Sequence, residues 1–502
     1  MIDFAPEMYY NKREVTGMKN DNIKANLIIH AAVLLFCGCS DITAENQSPV
    51  QQVIFPKTST ASEETVLSET TAVTESAAPI AVQTEEMPSG SVMIESISAS
   101  EITQTEQTVS VTETAAPDVT AENMLTEETD SGYYLPVRYD ALNYDIQHAV
   151  WISYLEYSRI MKDRTEEEFT NELGDILDRS AELGINTIYM QVRAFGDAYY
   201  NSSLFPKGDR LTGDYDPLGI AVDAAHDRGM AIHAWINPMR MMTEDIAERL
   251  PEDTSLGRLY AGYKNGEGGM FSSGDRLYLD PSDEDAVELI CGGVREIISG
   301  YNVDGIQIDD YFYPETSELL DRKAYISSGT SLPLDDWRRE NVNNMVLKLN
   351  AAVHEENDSL LFGISPSGNI TSNYSELYAD TEKWCRSTDY CDYICPQIYY
   401  GFMHDASPFE NSVRKWLDLT SDSGVKTVIG LSAYKIGTYD KYAGSGSDEW
   451  IERHDILARQ IMFCEENGCG TALFRADSLF YPESSVRADV EEEIGNIISA
   501  VS

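Results

Sequence analysis

VDGIQIDDYFYP, residues 303–314, is the stretch on which the fold turns. An apolar run carrying Asp-Gly ends in two adjacent carboxylates, followed by a burst of Tyr, Phe and Pro. It reads as a short buried strand with acid chemistry at its C-terminal end, where parallel barrels place their active sites. By the period of two, Gly305, Gln307 and Asp309 share one strand face, and Ile306, Ile308 and Asp310 the other. Asp309 is therefore expected to point into a barrel mouth, with Asp310 supporting it. The purely structural alternative is a strand-end Asp that caps the next turn.

Seven comparable apolar runs flank this one: 149–154, 187–192, 231–236, 361–365, 393–398, 427–431 and 470–474, with 305–309 fourth in order. Most are separated by helix-like stretches. Near-continuous apolar strands alternating with helices predict a parallel sheet covered on both sides. Eight such units predict an α/β fold of the closed (β/α)8 TIM-barrel type. No GxGxxG or phosphate loop follows the first run, which counts against a nucleotide-binding sheet. Helix boundaries are legible too. Thr165 and Glu168 form a capping box ahead of an apolar stripe that Gly184 stops. Asp216-Pro217 is an N-cap followed by a first-turn proline. Residues 283–299 and 336–356 read as further helices. The connections 241–276 and 313–335 follow strand ends, so both are expected to overhang the mouth. Tyr260, Tyr263, Phe271, Tyr278 and Tyr313 within them could stack on sugar faces or simply fill the loops.

Polar residues recur at the ends of successive strands: Gln191 and Arg193; His233, Trp235 and Asn237; Gln307 and Asp309; Ser365; Gln397 and Tyr399. Buried polar groups are costly unless satisfied. Five strands delivering them to one rim suit a wet pocket for a hydroxyl-rich ligand. Individual members have structural alternatives, such as an Arg193–Asp197 ion pair or a satisfied core His233.

The rest of the chain bounds the context. Residues 40–132 are Ser, Thr, Glu, Ala and Val with scattered Pro, and between 40 and 130 seventeen acids face the single base Lys57. Such a segment cannot bury enough apolar surface to offset its chain entropy and reads as a disordered, acidic linker. The net charge of −49 excludes nucleic acid as a partner and argues against a basic lipid-binding patch. Residues 18–39 read as a signal: Lys19 and Lys24 precede an apolar core too short for a comfortable membrane span. That core ends Leu35-Phe36-Cys37-Gly38-Cys39-Ser40, which resembles a bacterial lipoprotein signal with Cys39 as the lipidated residue. The expected location is the extracellular face of the cell membrane, reached through a lipid anchor, with the linker as a spacer. Residues 1–17 read as an upstream mis-start. The six cysteines beyond residue 40 form no CxxC pair and no Cys-His cluster, so no zinc site or other metal is expected. Buried free thiols are the preferred reading, with a Cys464–Cys469 pair the alternative.

A glycosidase needs two carboxyl groups, one to donate a proton and one to act as nucleophile or base. Asp309 is the candidate nucleophile or base. The acid candidates, in order, are Asp310, Asp197, Glu156 and Glu315. Acting together, Asp309 and Asp310 would repel and raise one pKa, provided the chain bends there to bring both to the same side. The spelling Asp304-Gly-Ile-Gln-Ile-Asp309 is similar to the fourth-strand Asp-Gly-x-x-x-Asp of the α-amylase clan.

From about Tyr144 onward the chain resembles the glycosyl-hydrolase-like family ten (formerly domain of unknown function 187), found in bacterial envelope lipoproteins. The matching motifs run in order. They are NTIYMQVR (186–193), GDAYY (196–200), DPL (216–218), AHDRG (225–229), HAWINP (233–238), DGIQIDDYFYP (304–314), WRREN (337–341), GISP (363–366) and YCDYICPQIY (390–399). The resemblance implies a TIM barrel over residues 133–502 that hydrolyses glycosidic bonds without a cofactor, with peptidoglycan strands stripped of stem peptides as the substrate precedent. The expected substrate-binding set is Arg193, Asp197, His233, Trp235, Asn237, Gln307, Tyr311, Gln397 and Tyr399 around Asp309 and Asp310. The alternative is a non-catalytic glycan-binding lipoprotein on the same barrel. Metal-assisted hydrolysis through His233, Asp309 and Asp310 is a third, lesser reading, since no His-rich cluster accompanies them.

Overall fold

Eight parallel strands close on themselves, so the barrel itself presents no sheet edge. The computed structural model describes residues 126–128, 134–136 and 139–501. The barrel strands are β1 (His148–Ile152), β2 (Thr187–Arg193), β3 (Ala231–Ile236), β4 (Gly305–Ile308), β5 (Leu361–Ile364), β6 (Tyr393–Ile394), β7 (Lys426–Ser432) and β8 (Gly470–Phe474). Each pairs with its neighbour in chain order, and β8 pairs with β1. These are the eight apolar runs, so the fold is the (β/α)8 barrel. The sixth run is shorter than its pattern: Pro396 lacks an N–H, and beyond Ile394 only Gln397 bridges to its neighbours.

The helical layer follows the same local chemistry. Helix α1 (Glu166–Glu182) starts at Thr165, whose side chain accepts from the Glu168 N–H while Glu168 accepts from the Thr165 N–H. Helix α2 (Pro217–His226) is capped by Asp216 with Pro217 in its first turn. Helices α3 (Glu284–Gly300), α4 (Leu334–Glu356), α5 (Phe409–Thr420), α6 (Ile456–Glu466) and α7 (Arg487–Val501) continue the ring. A buried Glu493 on α7 accepts from the backbone N–H groups of Ile456 and Ala458, satisfying donors that α6 cannot satisfy itself.

Residues outside the barrel cycle matter to the site. The connection 241–276 is structured: strands Arg240–Thr243, Met270–Ser273 and Arg276–Leu279 form an antiparallel sheet, with helix Ser255–Asn265 between the first two. The loop after β4 is clamped by Arg338 of α4, which pairs with Asp321 at 2.5 Å and donates to the Thr316 and Ser317 carbonyls. Strands Thr126–Glu128 and Tyr134–Pro136 pair antiparallel, so the first lies inside the stretch that composition assigns to the linker. The mis-start 1–17, the signal 18–39, Cys39 and nearly all of the linker lie outside the described residues.

Glycine shapes the barrel interior where two large side chains must fit. A Cβ on Gly363 would sit 1.9 Å from the Tyr393 ring, and one on Gly305 would sit 2.8 Å from the His233 ring. The Asp-Gly of the deciding stretch is thereby explained without catalysis. Gly305 leaves room for His233. The Asp304 carboxylate accepts from Tyr139 Oη, the Leu142 and Ile232 N–H groups and His226 Nε2, all at the N-terminal pole. The likeness to the α-amylase spelling is structural at its first Asp.

Candidate active site

Asp309 and Asp310 lie immediately past the C-terminal end of β4. The ladder stops at Ile308 and the chain bends at Asp310, whose carbonyl accepts from the Phe312 N–H at 2.9 Å. That bend is what two adjacent residues need to serve one cavity. Asp309 is 3 % exposed; its Oδ2 accepts from Trp235 Nε1 at 2.9 Å and its Oδ1 from the Tyr311 N–H at 3.2 Å. Asp310 is more open and accepts from the Gln397 side chain.

The electrostatics separate the pair. Burial, then repulsion from Asp310, push the Asp309 carboxyl up to about 7, against the opposing pull of Arg240, Trp235 and the Tyr311 N–H. Burial also raises Asp310, while Gln397 and Arg240 hold it down. Arg240 is buried, donates from Nε to the Ala194 carbonyl, and lies 3.5 Å from the Tyr311 ring centroid and 4.5 Å from that of Phe195. On the opposite side of the mouth, Tyr399, Tyr434 and Phe474 form a cluster of rings at centroid distances of 5.7–6.1 Å.

The structure brings together only part of the expected set. Trp235, Tyr311, Gln397 and Tyr399 surround the two carboxyls; Tyr399 is near enough to feel both charges. The other five are turned to other work. Arg193 is 1 % exposed in the helix layer, 4.4 Å from the Phe205 ring and close to Gly293 of α3. The register of β2 against β3 shifts between Gln191 and Arg193, which upsets the period-two expectation. Asp197 accepts from the Ala194 and Phe195 N–H groups and closes a turn, with no ion pair to Arg193 among the described residues. His233 is a core histidine. Its Nε2 faces Asn143 Oδ1 at 3.1 Å and its Nδ1 faces Tyr393 Oη at 2.9 Å, and burial lowers its pKa to about 4. Gln307 is consumed by Trp151 Nε1 at 2.7 Å and Tyr393 Oη at 3.2 Å. Asn237 bridges Gln191 and the Ala194 carbonyl, shaping the rim from beneath. Of the other acid candidates, Glu156 is fully buried and pairs with Arg475 at 2.5 Å, while Glu315 is partly exposed.

Arg240 and Arg276 escaped the sequence reading. The available signal was position: Arg240 falls just past β3, in the gap between a strand and a connection counted from 241. No group of three or more His, Cys, Asp or Glu that could hold a metal occurs among the described residues. The six cysteines described are buried and free. A surface cleft lined by Asp145, Gln147, Lys426 and Gly470 opens at the N-terminal pole, away from the carboxyls.

A closed parallel barrel with paired carboxyls and aromatic walls at its C-terminal mouth is the architecture of a glycoside hydrolase. The chain belongs to the glycosyl hydrolase-like 10 family, whose sequence profile matches residues 147–445. It is 32 % identical over 339 residues to glycosyl hydrolase DigH of Escherichia coli (strain K12), a match covering 62 % of this chain and 76 % of that protein. Glycosyl hydrolase YngK of Bacillus subtilis (strain 168) is 31 % identical over 327 residues, 60 % of this chain and 62 % of that protein. Among solved structures, the PgaB (BpsB) glycoside hydrolase domain from Bordetella bronchiseptica aligns with a TM-score of 0.45 at 13 % identity, covering 69 % of this chain and 99 % of that one.

Proposed function

We propose that this glycoside hydrolase is lipid-anchored through Cys39 on the outer face of the cell membrane. Its proposed substrates are peptidoglycan glycan strands or another extracellular polysaccharide. Asp309 and Asp310 form its acid/base pair, with Trp235, Tyr311, Gln397 and Tyr399 lining the sugar site. The observation that carries the catalytic part is the bend at Asp310, which sets two mutually repelling carboxyls beside one cavity. The anchor and the substrate class rest on the signal-like N-terminus and the linker.

The roles within the pair follow from proton affinity. Burial pushes the Asp309 carboxyl up to about 7, so just below neutrality Asp309 holds the proton that is delivered to the leaving-group oxygen, and Asp310 is the carboxylate that acts as nucleophile or base. This exchanges the roles that strand alternation alone suggests. The deeper residue is the costlier to ionise, and Asp309 is the deeper one.

The test is product release, read by mass spectrometry, from intact peptidoglycan, peptide-stripped strands, chitin and α- and β-glucans. Products from the wild type and none from Asp309→Asn support the reading. Binding without turnover across the whole panel would convert the protein into a glycan-binding barrel.

A further inference from the structure

Two guanidinium groups stand at the mouth without a carboxylate partner. Arg240 and Arg276 both lie against the Phe195 ring, at 4.5 and 4.2 Å from its centroid. Neither makes a salt bridge among the described residues. The one hydrogen bond of either guanidinium to a described residue is Arg240 Nε to the Ala194 carbonyl. Arg276 is half-buried and Arg240 is 7 % exposed.

The chain carries 85 Asp and Glu against 36 Lys and Arg. Most described arginines do find a carboxylate: Arg159, Arg228, Arg338, Arg339 and Arg475 each pair within 2.6 Å. The two strands that carry Arg240 and Arg276 pair with each other, with Arg240 opposite Tyr278 and Thr243 opposite Arg276, so one sheet sets both. Arg240 also lies close enough to Asp309 and Asp310 to lower both carboxyls. Arg276 lies beside Arg240 on the same Phe195 ring, so the two cations are neighbours at the edge of the site.

We propose that Arg240 and Arg276 form an anion subsite that recognises a carboxylate-bearing sugar in the glycan chain bound across Asp309 and Asp310. The inference rests on the glycosidase reading and narrows its substrate to acidic glycans. Arg suits the task because its planar fork meets a carboxylate in two parallel hydrogen bonds and stacks on an aromatic ring at the same time. Phe195 holds Arg276 in place without spending its donors. A free carboxyl reaches such a subsite from two chemical sources: a lactyl ether on an amino sugar, as on peptide-stripped peptidoglycan strands, or the ring carboxyl of a uronic acid.

The experiment compares turnover of peptide-stripped peptidoglycan strands with the same strands after methyl esterification, and of a hyaluronan-type uronic-acid polymer with its methyl ester, by wild type and Arg276→Gln. Affinity electrophoresis of Asp309→Asn on the same four glycans separates binding from chemistry. A charge-assisted pair contributes about 1.5–3 kcal/mol, so esterification is expected to lower wild-type kcat/KM roughly 10- to 100-fold on the favoured glycan, chiefly through KM. Arg276→Gln should bring the acid-to-ester ratio toward one. A preference on the peptidoglycan strands assigns the lactyl carboxylate; one on the uronic polymer assigns the ring carboxyl. Equal turnover of acid and ester by the wild type would overturn the subsite while leaving the glycosidase intact. So would an acid-to-ester ratio that Arg276→Gln does not move. If no glycan is cut, retardation of Asp309→Asn by the acids and not by the esters would still sustain the subsite, and equal retardation would sink it.

Discussion

Replacing Asp309 with Asn should make the protein more stable and inactive at once, and the stability gain should depend on pH. Asp309 is 3 % exposed, and its carboxyl is raised from 3.8 to about 7. In the unfolded chain the group ionises near its ordinary value, so between pH 4 and pH 7 the folded state binds the extra proton. Stability therefore falls as pH rises across that window and levels off above it. At about 1.4 kcal/mol per unit, the full cost of the ionised, buried Asp309 is about 4 kcal/mol above pH 7. Asn carries no charge to desolvate and still offers its carbonyl oxygen to Trp235 Nε1. The expected result is a Tm for Asp309→Asn roughly 5 °C above wild type at pH 8, shrinking toward zero near pH 4. Differential scanning calorimetry of both proteins at pH 4, 6 and 8 reads this directly. A Tm difference that stays constant with pH, or a variant less stable at pH 8, would refute the claim that Asp309 holds its proton to neutrality. Turnover of a glycoside with a poor leaving group should fall by at least ~100-fold, while an aryl glycoside with a good one should suffer less, because only the former depends on the proton donor.

Wild-type kcat should decline as pH rises through about 7; Arg240→Gln, by removing the cation that lowers Asp309, should move that limb upward by about one unit, and an unmoved limb would detach Arg240 from the pair. Arg193→Met should keep turnover and leave the urea midpoint equal or higher, since both terminal nitrogens of Arg193 are buried without a partner; loss of activity with retained folding would return Arg193 to the sugar site. Gly363→Ala should lower the unfolding free energy by more than ~2 kcal/mol, because its Cβ overlaps the Tyr393 ring; a normal denaturation curve would show that the interior yields more readily than its packing implies. Activity should survive exhaustive chelation, since His233 is spent on Tyr393 and Asn143 instead of facing Asp309; a chelator-sensitive rate restored by one metal would contradict that.

The barrel was legible because its signals are local and repeated. Each of the eight apolar runs carries a strand, and Thr165 with Glu168 and Asp216 with Pro217 cap helices where they are written. The site was legible where strand alternation holds, and failed where it breaks. The register shift after Gln191 turns Arg193 outward, and the chain bends at Asp310, where strand alternation no longer applies. Polar residues within the strands were misleading for another reason. His233 and Gln307 satisfy one another's neighbours through Tyr393 and Trp151, a network across four strands that no local pattern reveals. Arg240 and Arg276 were invisible because their meaning comes from the fold of an insertion, which places residues 36 positions apart against one ring.

That insertion gives the enzyme two separable inheritances. The end of the fourth barrel strand supplies the two carboxyls and the third the indole that anchors one of them; the three-stranded sheet at 240–279 supplies Arg240, whose charge lowers both. The proposed acid/base pair and the charge that tunes it are thus carried by parts of the chain with different structural obligations. Arg240 and Arg276 stand outside the barrel interior, whereas Gly305, Gly363 and Tyr393 are packed within it. On the proposed reading, selection can retune the charge of the mouth, and with it the working pH and the kind of sugar admitted, without reopening the problem of how the barrel folds.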